Sequence, residues 1–299
     1  MKHSVKDWFV VTRYWSFSVS TMPVLATFAY LCSRHLVPSG AAPIVNFILA
    51  LVGIVLFHAA GNVLSDYYDF KRGVDNENAF AVPNLVFHKF EAGEYLRFSV
   101  ILFVAAIVTG IAITLLSGPV VLLVGGLGFV LTVLYSFFKF HALGDLDIFI
   151  IFGILPILGT SYVVTGNVCW EALALSIPIG IVTVSVLHAN NTLDIDSDKA
   201  AGIRTFAMLL GGRFSSRLYM AYQMIPFIFV AAAVIAGALT PFSLLCLVAL
   251  IPAFGNIKAA SHFDEKGIQT MMGLDQASAK MQLVFSGLLS IGLFIGALI

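Results

Sequence analysis

The chain has 299 residues, 60% of them hydrophobic and only 11% charged, with 16 Lys and Arg balanced by 16 Asp and Glu. A soluble domain carries about 25% charged residues, so this composition, with a mean hydropathy of +0.98, excludes a globular enzyme of the cytosol. Zero net charge and the lack of any basic tract leave nothing to neutralise a phosphate backbone, so nucleic acid is not an expected partner.

In chain order, nine apolar runs approach the roughly 20 residues that a helix needs to cross a bilayer. They are predicted at 17–33, 43–64, 98–116, 120–138, 148–165, 172–193, 218–239, 242–257 and 281–299, the eighth being the shortest. The expected fold is therefore all-α, a polytopic membrane bundle in one domain over 1–299. Residues 1–12 carry Lys2, Lys6 and Asp7 with neither an apolar core nor a cleavage site, which does not read as a removable signal peptide. Pro23, Pro156, Pro178, Pro226 and Pro252 fall inside spans, where neighbouring helices can satisfy the freed carbonyls. Cys32, Cys169 and Cys246 are isolated in apolar surroundings, as core thiols are, without the spacing of a disulfide or zinc framework.

Taken alternately, the connections segregate charge. Fifteen of the 16 Lys and Arg fall on the side of the N-terminus, and only Arg34 falls opposite. That places the N-terminus in the cytoplasm. Fifteen of the 16 acidic residues share that side, Glu171 being the exception. Acidic residues contribute little to topology, so either a site or ordinary solvated loops must explain their placement.

Two clusters separate these readings. Asn62, Asp66 and Asp69 stand at i, i+4 and i+7 where the second span leaves the bilayer, followed by Lys71, Arg72 and Asp75. If the helix continues, the three face one way, and like charges on one face repel unless a cation lies among them. Asn190, Asp194 and Asp198 repeat the pattern at i, i+4 and i+8 at the end of the sixth span, followed by Lys199 and Arg204. The two Asn-x-x-x-Asp corners are 128 residues apart, which reads as a weak internal repeat. Oxygen-only ligands favour Mg²⁺ or Ca²⁺. Because Mg²⁺ binds through one or two carboxylates plus substrate phosphates, the expected ligand is a diphosphate whose remaining charge the nearby Lys and Arg neutralise.

On these residues the sequence resembles the UbiA superfamily of intramembrane prenyltransferases, whose hallmark is two Asp-rich motifs on helices 2 and 6 of a nine-helix bundle. Residues 62–75 are similar to the first signature and 190–205 to the second, while Tyr135 and Lys139 match a Tyr-x-x-x-Lys loop between them. Within the superfamily the likeness is greatest to the 1,4-dihydroxy-2-naphthoate polyprenyltransferases of menaquinone biosynthesis, through residues 66–75, 143–166 and the doublet Asn190 and Asn191.

The resemblance implies Mg²⁺-dependent transfer of a polyprenyl group from polyprenyl diphosphate to an aromatic acceptor at the cytoplasmic face of the lipid bilayer, with a bacterial inner membrane as the expected location. Dihydroxynaphthoate is the expected acceptor, and 4-hydroxybenzoate or another lipid-quinone acceptor the alternative. It assigns metal binding to Asp66, Asp194, Asp198 and either Asp69 or Asp75, and catalysis to these motif aspartates with Tyr135 and Lys139. Asn62, Lys71, Arg72, Asp75, Tyr68, Tyr162, Asn190, Asn191, Lys199 and Arg204 are the expected substrate contacts. Tyr67, Tyr68, Tyr135 and Tyr162 are placed to face an allylic cation. The loop 76–96 is long enough to be a lid or an interfacial segment. His58 and His188 lack a second histidine at ligand spacing and are read as packing residues. A secondary transporter, the alternative from another class, would need its carboxylates near the membrane midplane.

Overall fold

In the computed structural model, which describes residues 3–73 and 84–299, every named element is helical. The helices are α1 (Val5–Val11), α2 (Ser18–Ser33), α3 (Ala42–Lys71), α4 (Ala92–Ser117), α5 (Val120–Phe140), α6 (Gly144–Ile148), α7 (Leu155–Thr165), α8 (Ser176–Leu193), α9 (Ile195–Ala200), α10 (Phe206–Leu210), α11 (Gly212–Ile235), α12 (Leu250–Ser261), α13 (Phe263–Lys266) and α14 (Leu274–Leu298). Among the described residues they supply nine segments long and apolar enough to cross a membrane, as expected.

Several boundaries differ from the apolar runs. Helix α3 continues to Lys71, so the first acidic corner is fully helical. Helix α4 begins at Ala92 behind a reciprocal cap between Glu91 and Glu94. Helix α14 begins at Leu274, and one face of its polar first turns is buried, Ser278 and Gln282 being fully enclosed while Gln276 and Lys280 are exposed. The fifth span is interrupted: α6 passes through a π-helical stretch, Phe149–Ile154, before α7. There Gly153 and Gly180 of α8 pack so closely that a Cβ on Gly153 would lie 3.1 Å from the Gly180 Cα. Such widened turns accommodate helix distortions of this kind. The eighth span opens as a 3₁₀ stretch, Pro241–Ala249, before α12.

The main core joins Ala26, Ala29 and Tyr30 of α2 to Val182 of α8, Phe227 of α11 and Phe285 of α14. Polar side chains bind the same helices together. Gln223 donates to Ser185 at 3.1 Å and Ser278 at 3.0 Å, and receives from Asn256 at 3.2 Å. Interhelical bonds of this type, with close-packed small residues, hold helices together where lipid removes the hydrophobic drive. The outer faces of α4 and α5 expose Ile101, Val108, Leu115 and Leu123, as a lipid-facing surface requires.

The N-terminal arm clasps the described part of the predicted lid, residues 84–96. Trp8 packs on Phe90 and Phe98 with ring centroids 4.8 and 4.6 Å apart, and Lys89 bonds Asp7 at 2.7 Å. Lys89 and the Ser4 cap hold the Asp7 carboxyl well below the usual carboxylate range. Leu85 and Phe90 are buried against Val11 and Tyr95. Residues 76–83 of the predicted lid, and Asp75, lie outside the described residues.

Candidate active site

The two acidic corners meet at one end of the bundle around Lys139. Sequence spacing put Tyr135 and Lys139 in a loop, but α5 runs to Phe140, and both occupy its last two turns. A polar residue just after an apolar run stays helical here because α3 offers it a partner: Lys139 donates to Asp69 Oδ2 at 3.3 Å, with both side chains buried. The ammonium also lies in the fields of Asp194, Asp198 and Tyr135. Phe140 completes the junction. The Arg72 guanidinium stacks over its ring, 4.6 Å from the centroid, and its carbonyl accepts the Arg204 N–H at 3.3 Å.

The first corner keeps Asp66 and Asp69 on one helical face, as expected, but they are met by different cations. Arg13 bonds Asp66 from the N-terminal arm. The turn that aims it there is made by Arg13 itself at φ 54°, a left-handed conformation that costs a non-glycine residue about 1 kcal/mol. Asn62 donates to Thr12 O at 2.9 Å and to Ser16 Oγ at 3.3 Å, tying the same arm to α3.

At the second corner α8 ends at Leu193 and α9 restarts at Ile195, yet the Asp198 N–H still donates to Asp194 O at 2.8 Å, preserving the i, i+4 relationship. Asn190 holds the Asp194 carboxylate at 2.7 Å. The two asparagines therefore differ in use: one anchors the arm, the other orients an aspartate. Asp198 is 1% exposed, and neither carboxylate oxygen has a hydrogen-bond partner. Burial pushes its carboxyl up to about 7. Asp69 Oδ1 and Asn191 Oδ1 are likewise buried without partners.

Among the described residues no three His, Cys, Asp or Glu side chains form a ready metal cage. Lys139 stands between the corners instead, and Arg13 lies against the first of them. The donor set nevertheless fits a hard cation: it is all oxygen, and three of its carboxylate oxygens, on Asp69 and Asp198, are orphaned in the interior. Mg²⁺ keeps several waters and takes substrate phosphates as further ligands, so it needs no closed protein cage.

The remaining expected contacts divide. Lys71, Arg72, Lys199 and Arg204 are all exposed, forming the rim of the site. Tyr67 and Tyr68 pack edge to face, with Tyr68 partly exposed at the same end. Tyr162 is not brought into the site. It lies at the opposite end of the fifth span, where a Cβ on Gly118 would meet its hydroxyl at 2.6 Å, about 25 Å along the helix from Asp145. There it lines an apolar cavity of about 150 Å³ between α2, α3, α4, α5 and α7, together with Phe57, Gly110, Gly125 and Phe152. The cavity reaches His58 and Thr132, which stand two turns below Asp66 and Lys139 on their own helices.

His58 and His188 are buried, as read from the sequence. His188 bonds Asp145 Oδ2 at 2.6 Å and the Ser215 hydroxyl at 2.9 Å, joining α6, α8 and α11. Sequence reading missed Arg13, whose position beside Asp66 depends on the path of the N-terminal arm, and Asp147, which is buried in α6. No described carboxylate lies at the middle of a span, where an ion-coupled transporter would carry one.

Comparison with known proteins agrees with this fold. The sequence profile of the UbiA prenyltransferase family matches residues 20–272. The chain is 33% identical over 235 residues to UbiA prenyltransferase domain-containing protein 1 of Xenopus tropicalis, covering 76% of this chain and 66% of that protein. It is 32% identical over 237 residues to the Mus musculus protein of the same name, covering 76% and 68%. The chain thus spans about two-thirds of the length of these relatives. Among solved structures, a UbiA homolog from Aeropyrum pernix superposes with a TM-score of 0.69 at 18% identity, covering 95% of this chain and 98% of that one. A UbiA homolog from Archaeoglobus fulgidus bound to GPP and Mg²⁺ superposes with a TM-score of 0.67 at 13% identity, covering 98% and 99%.

Proposed function

Since the chain belongs to the UbiA prenyltransferase family and is a prenyl-transferring enzyme of the membrane, we propose that it moves a polyprenyl group from polyprenyl diphosphate to 1,4-dihydroxy-2-naphthoate, the acceptor of menaquinone biosynthesis. The observation that carries the reading is the convergence of Asp69, Asp194 and Asp198 around Lys139, above an apolar cavity. Charge sits where a diphosphate would be held, and apolar volume begins two helical turns below it.

Asp66, Asp69, Asp194 and Asp198 would hold Mg²⁺, with Asp75 a further candidate. The bound metal supplies positive charge opposite the departing diphosphate. Lys139 and Arg13 then turn from the carboxylates to the phosphate oxygens, and Lys71, Arg72, Lys199 and Arg204 attract the anion from the rim. Fixed charge aimed at a leaving group lowers the barrier to ionisation because it need not reorganise during the reaction. Asn190 keeps Asp194 oriented, and the adjacent Asn191 keeps a buried oxygen without a partner. Tyr67, Tyr68 and Tyr135 offer ring faces to the allylic cation. The cavity excludes water from it, and Tyr162 lies where the far end of the prenyl chain would rest.

The A. fulgidus homolog bound to GPP and Mg²⁺ supports this pairing of substrate and metal for the fold. The segregation of Lys and Arg supports a site at the cytoplasmic face of a membrane. The two sequence relatives named above are animal proteins, so a bacterial inner membrane draws no support from them.

The test is Mg²⁺-dependent formation of prenylated product by the purified protein, with dihydroxynaphthoate and 4-hydroxybenzoate supplied in parallel and Asp66→Ala and Asp194→Ala as controls. Product from dihydroxynaphthoate alone, abolished in both variants, is the expected result. Product from hydroxybenzoate alone would reassign the acceptor, and product from neither would overturn the proposal.

A further inference from the structure

Asp147 belongs to neither acidic motif. It is 3% exposed, and neither of its carboxylate oxygens has a hydrogen-bond partner among the described residues. A buried carboxylate without a partner is costly to keep. Asp145, on the same short helix, has an evident structural use in its bond to His188. Asp147 has none.

Its level in the bundle follows from how α5 packs antiparallel to the fifth span. Three close approaches pin the register: a Cβ on Gly144 would lie 3.2 Å from Lys139 Cα, one on Gly128 3.7 Å from the Leu155 side chain, and one on Gly159 3.3 Å from the Val124 side chain. That register sets Asp147 level with Tyr135 and Ser136. The Tyr135 phenol correspondingly lies in the fields of Lys139, Asp69 and Asp147. One turn toward the acidic end stands Lys139; one turn the other way stand Thr132 and Ile151, which line the apolar cavity. On α3 the same layering places Asn62 between Asp66 and the cavity residue His58. Asp147 therefore occupies the layer between the diphosphate pocket and the prenyl cavity, where the first carbon of the prenyl chain must meet the acceptor.

We propose that Asp147 is the catalytic base of the transfer, taking the proton that the aromatic acceptor gives up when it is prenylated. The inference rests on the prenyl-transfer reading above. The bond between the prenyl C1 and the diphosphate oxygen breaks, and its electron pair leaves with diphosphate. A ring carbon activated by the acceptor's hydroxyl forms the new bond to C1. The acceptor's hydroxyl gives its proton to the Asp147 carboxylate as that ring carbon attacks, and the group the carbon carried leaves without its electron pair, which restores the aromatic ring: carbon dioxide from the 2-carboxylate of dihydroxynaphthoate, or a proton to water from hydroxybenzoate. Asp147 then releases the proton to water from the acidic end. Asp69 is engaged by Lys139 and Asp66 by Arg13, whereas Asp147 has both oxygens open for this use.

The experiment compares the full-length wild type with Asp147→Asn and Asp147→Ala. Binding of a polyprenyl diphosphate with MgCl₂ is measured by calorimetry, and turnover is measured with whichever acceptor the wild type uses. The expected result is unchanged diphosphate affinity in Asp147→Asn, a fall in kcat of about 100-fold or more, and partial restoration of Asp147→Ala by added formate. A purely structural role would not respond to formate. Turnover of Asp147→Asn within about threefold of wild type overturns the inference, as does a loss confined to diphosphate binding, or failure of formate to restore a correctly folded Asp147→Ala. A wild type that prenylates neither acceptor would instead defeat the underlying reading, so the two failures are distinguishable.

Discussion

Lys139 of α5 reaches Asp69 of α3 across 3.3 Å in an interior where both side chains are buried, and its ammonium also feels Asp194 and Asp198. One cationic side chain thus balances carboxylates from both motifs. An ammonium and a divalent cation have the same electrostatic use for this space, and the first prediction follows from that equivalence.

Replacing Lys139 with Gln leaves Asp69 buried without its cation, and breaking a buried pair on one side typically costs about 3–5 kcal/mol. Thermal unfolding in detergent without Mg²⁺ is expected to begin several degrees lower than in wild type. MgCl₂ should then stabilise the variant more than the wild type, because the metal restores the missing charge. Equal stabilisation of the two proteins would show that ammonium and metal do not share the carboxylates.

Asp198 gives a pH signature. Its folded value of about 7 lies above the ordinary 3.8, so the metal-free folded protein binds this proton more tightly than the unfolded chain does. Stability from this group is present at low pH and declines as pH rises from about 4 to about 7. Metal-free protein should accordingly unfold more easily at about pH 7.5 than at about pH 5.5, with the gap narrowed by MgCl₂, which favours the carboxylate. Unfolding curves at the two pH values, with EDTA or MgCl₂, check this; a metal-free protein more stable at the higher pH would contradict it.

The His188 and Asp145 pair is a structural clip between α6, α8 and α11. His188→Leu removes one partner and leaves Asp145 buried and unpaired, with an expected loss of about 3 kcal/mol or more. The double variant His188→Leu with Asp145→Leu should recover part of that loss because it removes the orphaned charge. A double variant less stable than His188→Leu, measured by unfolding in the same detergent, would refute the clip.

Gly125 lines the apolar cavity, and a Cβ added there would meet nothing within 4 Å. Gly125→Leu should therefore fold normally, since leucine is the better helix former by about 1 kcal/mol, while its side chain fills volume meant for the prenyl chain. Turnover is expected to fall about tenfold or more with long prenyl diphosphates and to persist with short ones, as lost fit of several methylenes implies. Equal effects on both lengths would place the chain elsewhere.

Much of the architecture was legible because lipid imposes long apolar runs and because Lys and Arg segregate by side. The acidic corners were legible for a related reason: Asp66 and Asp194 interrupt the end of such runs at matching spacing. Lys139 was harder, since a lysine following an apolar run is also the commonest topological anchor, and only the packing of α5 on α3 buries it. Arg13 reaches Asp66 through a left-handed turn that no periodicity announces. Tyr162 lines the far part of the apolar cavity and not the acidic end, because the resemblance names a residue without fixing its depth along a helix. Asp147 reads in sequence as part of a polar connection, and its burial depends on the close approach of Gly144 to Lys139.

The contact between α2 and α14, where Ser18 donates to the Ala279 carbonyl at 3.2 Å and both helices contribute to the largest core cluster, bears on how the molecule is made. Helices enter a bilayer in the order of synthesis, yet the first spanning helix finds a principal neighbour only when the ninth arrives. During the intervening seven insertions its inner face must be sheltered by lipid, by the translocation machinery or by transient partners. Assembly of the bundle is thus a late event, in which a pairing distant in sequence completes a ring whose earlier members are already in place.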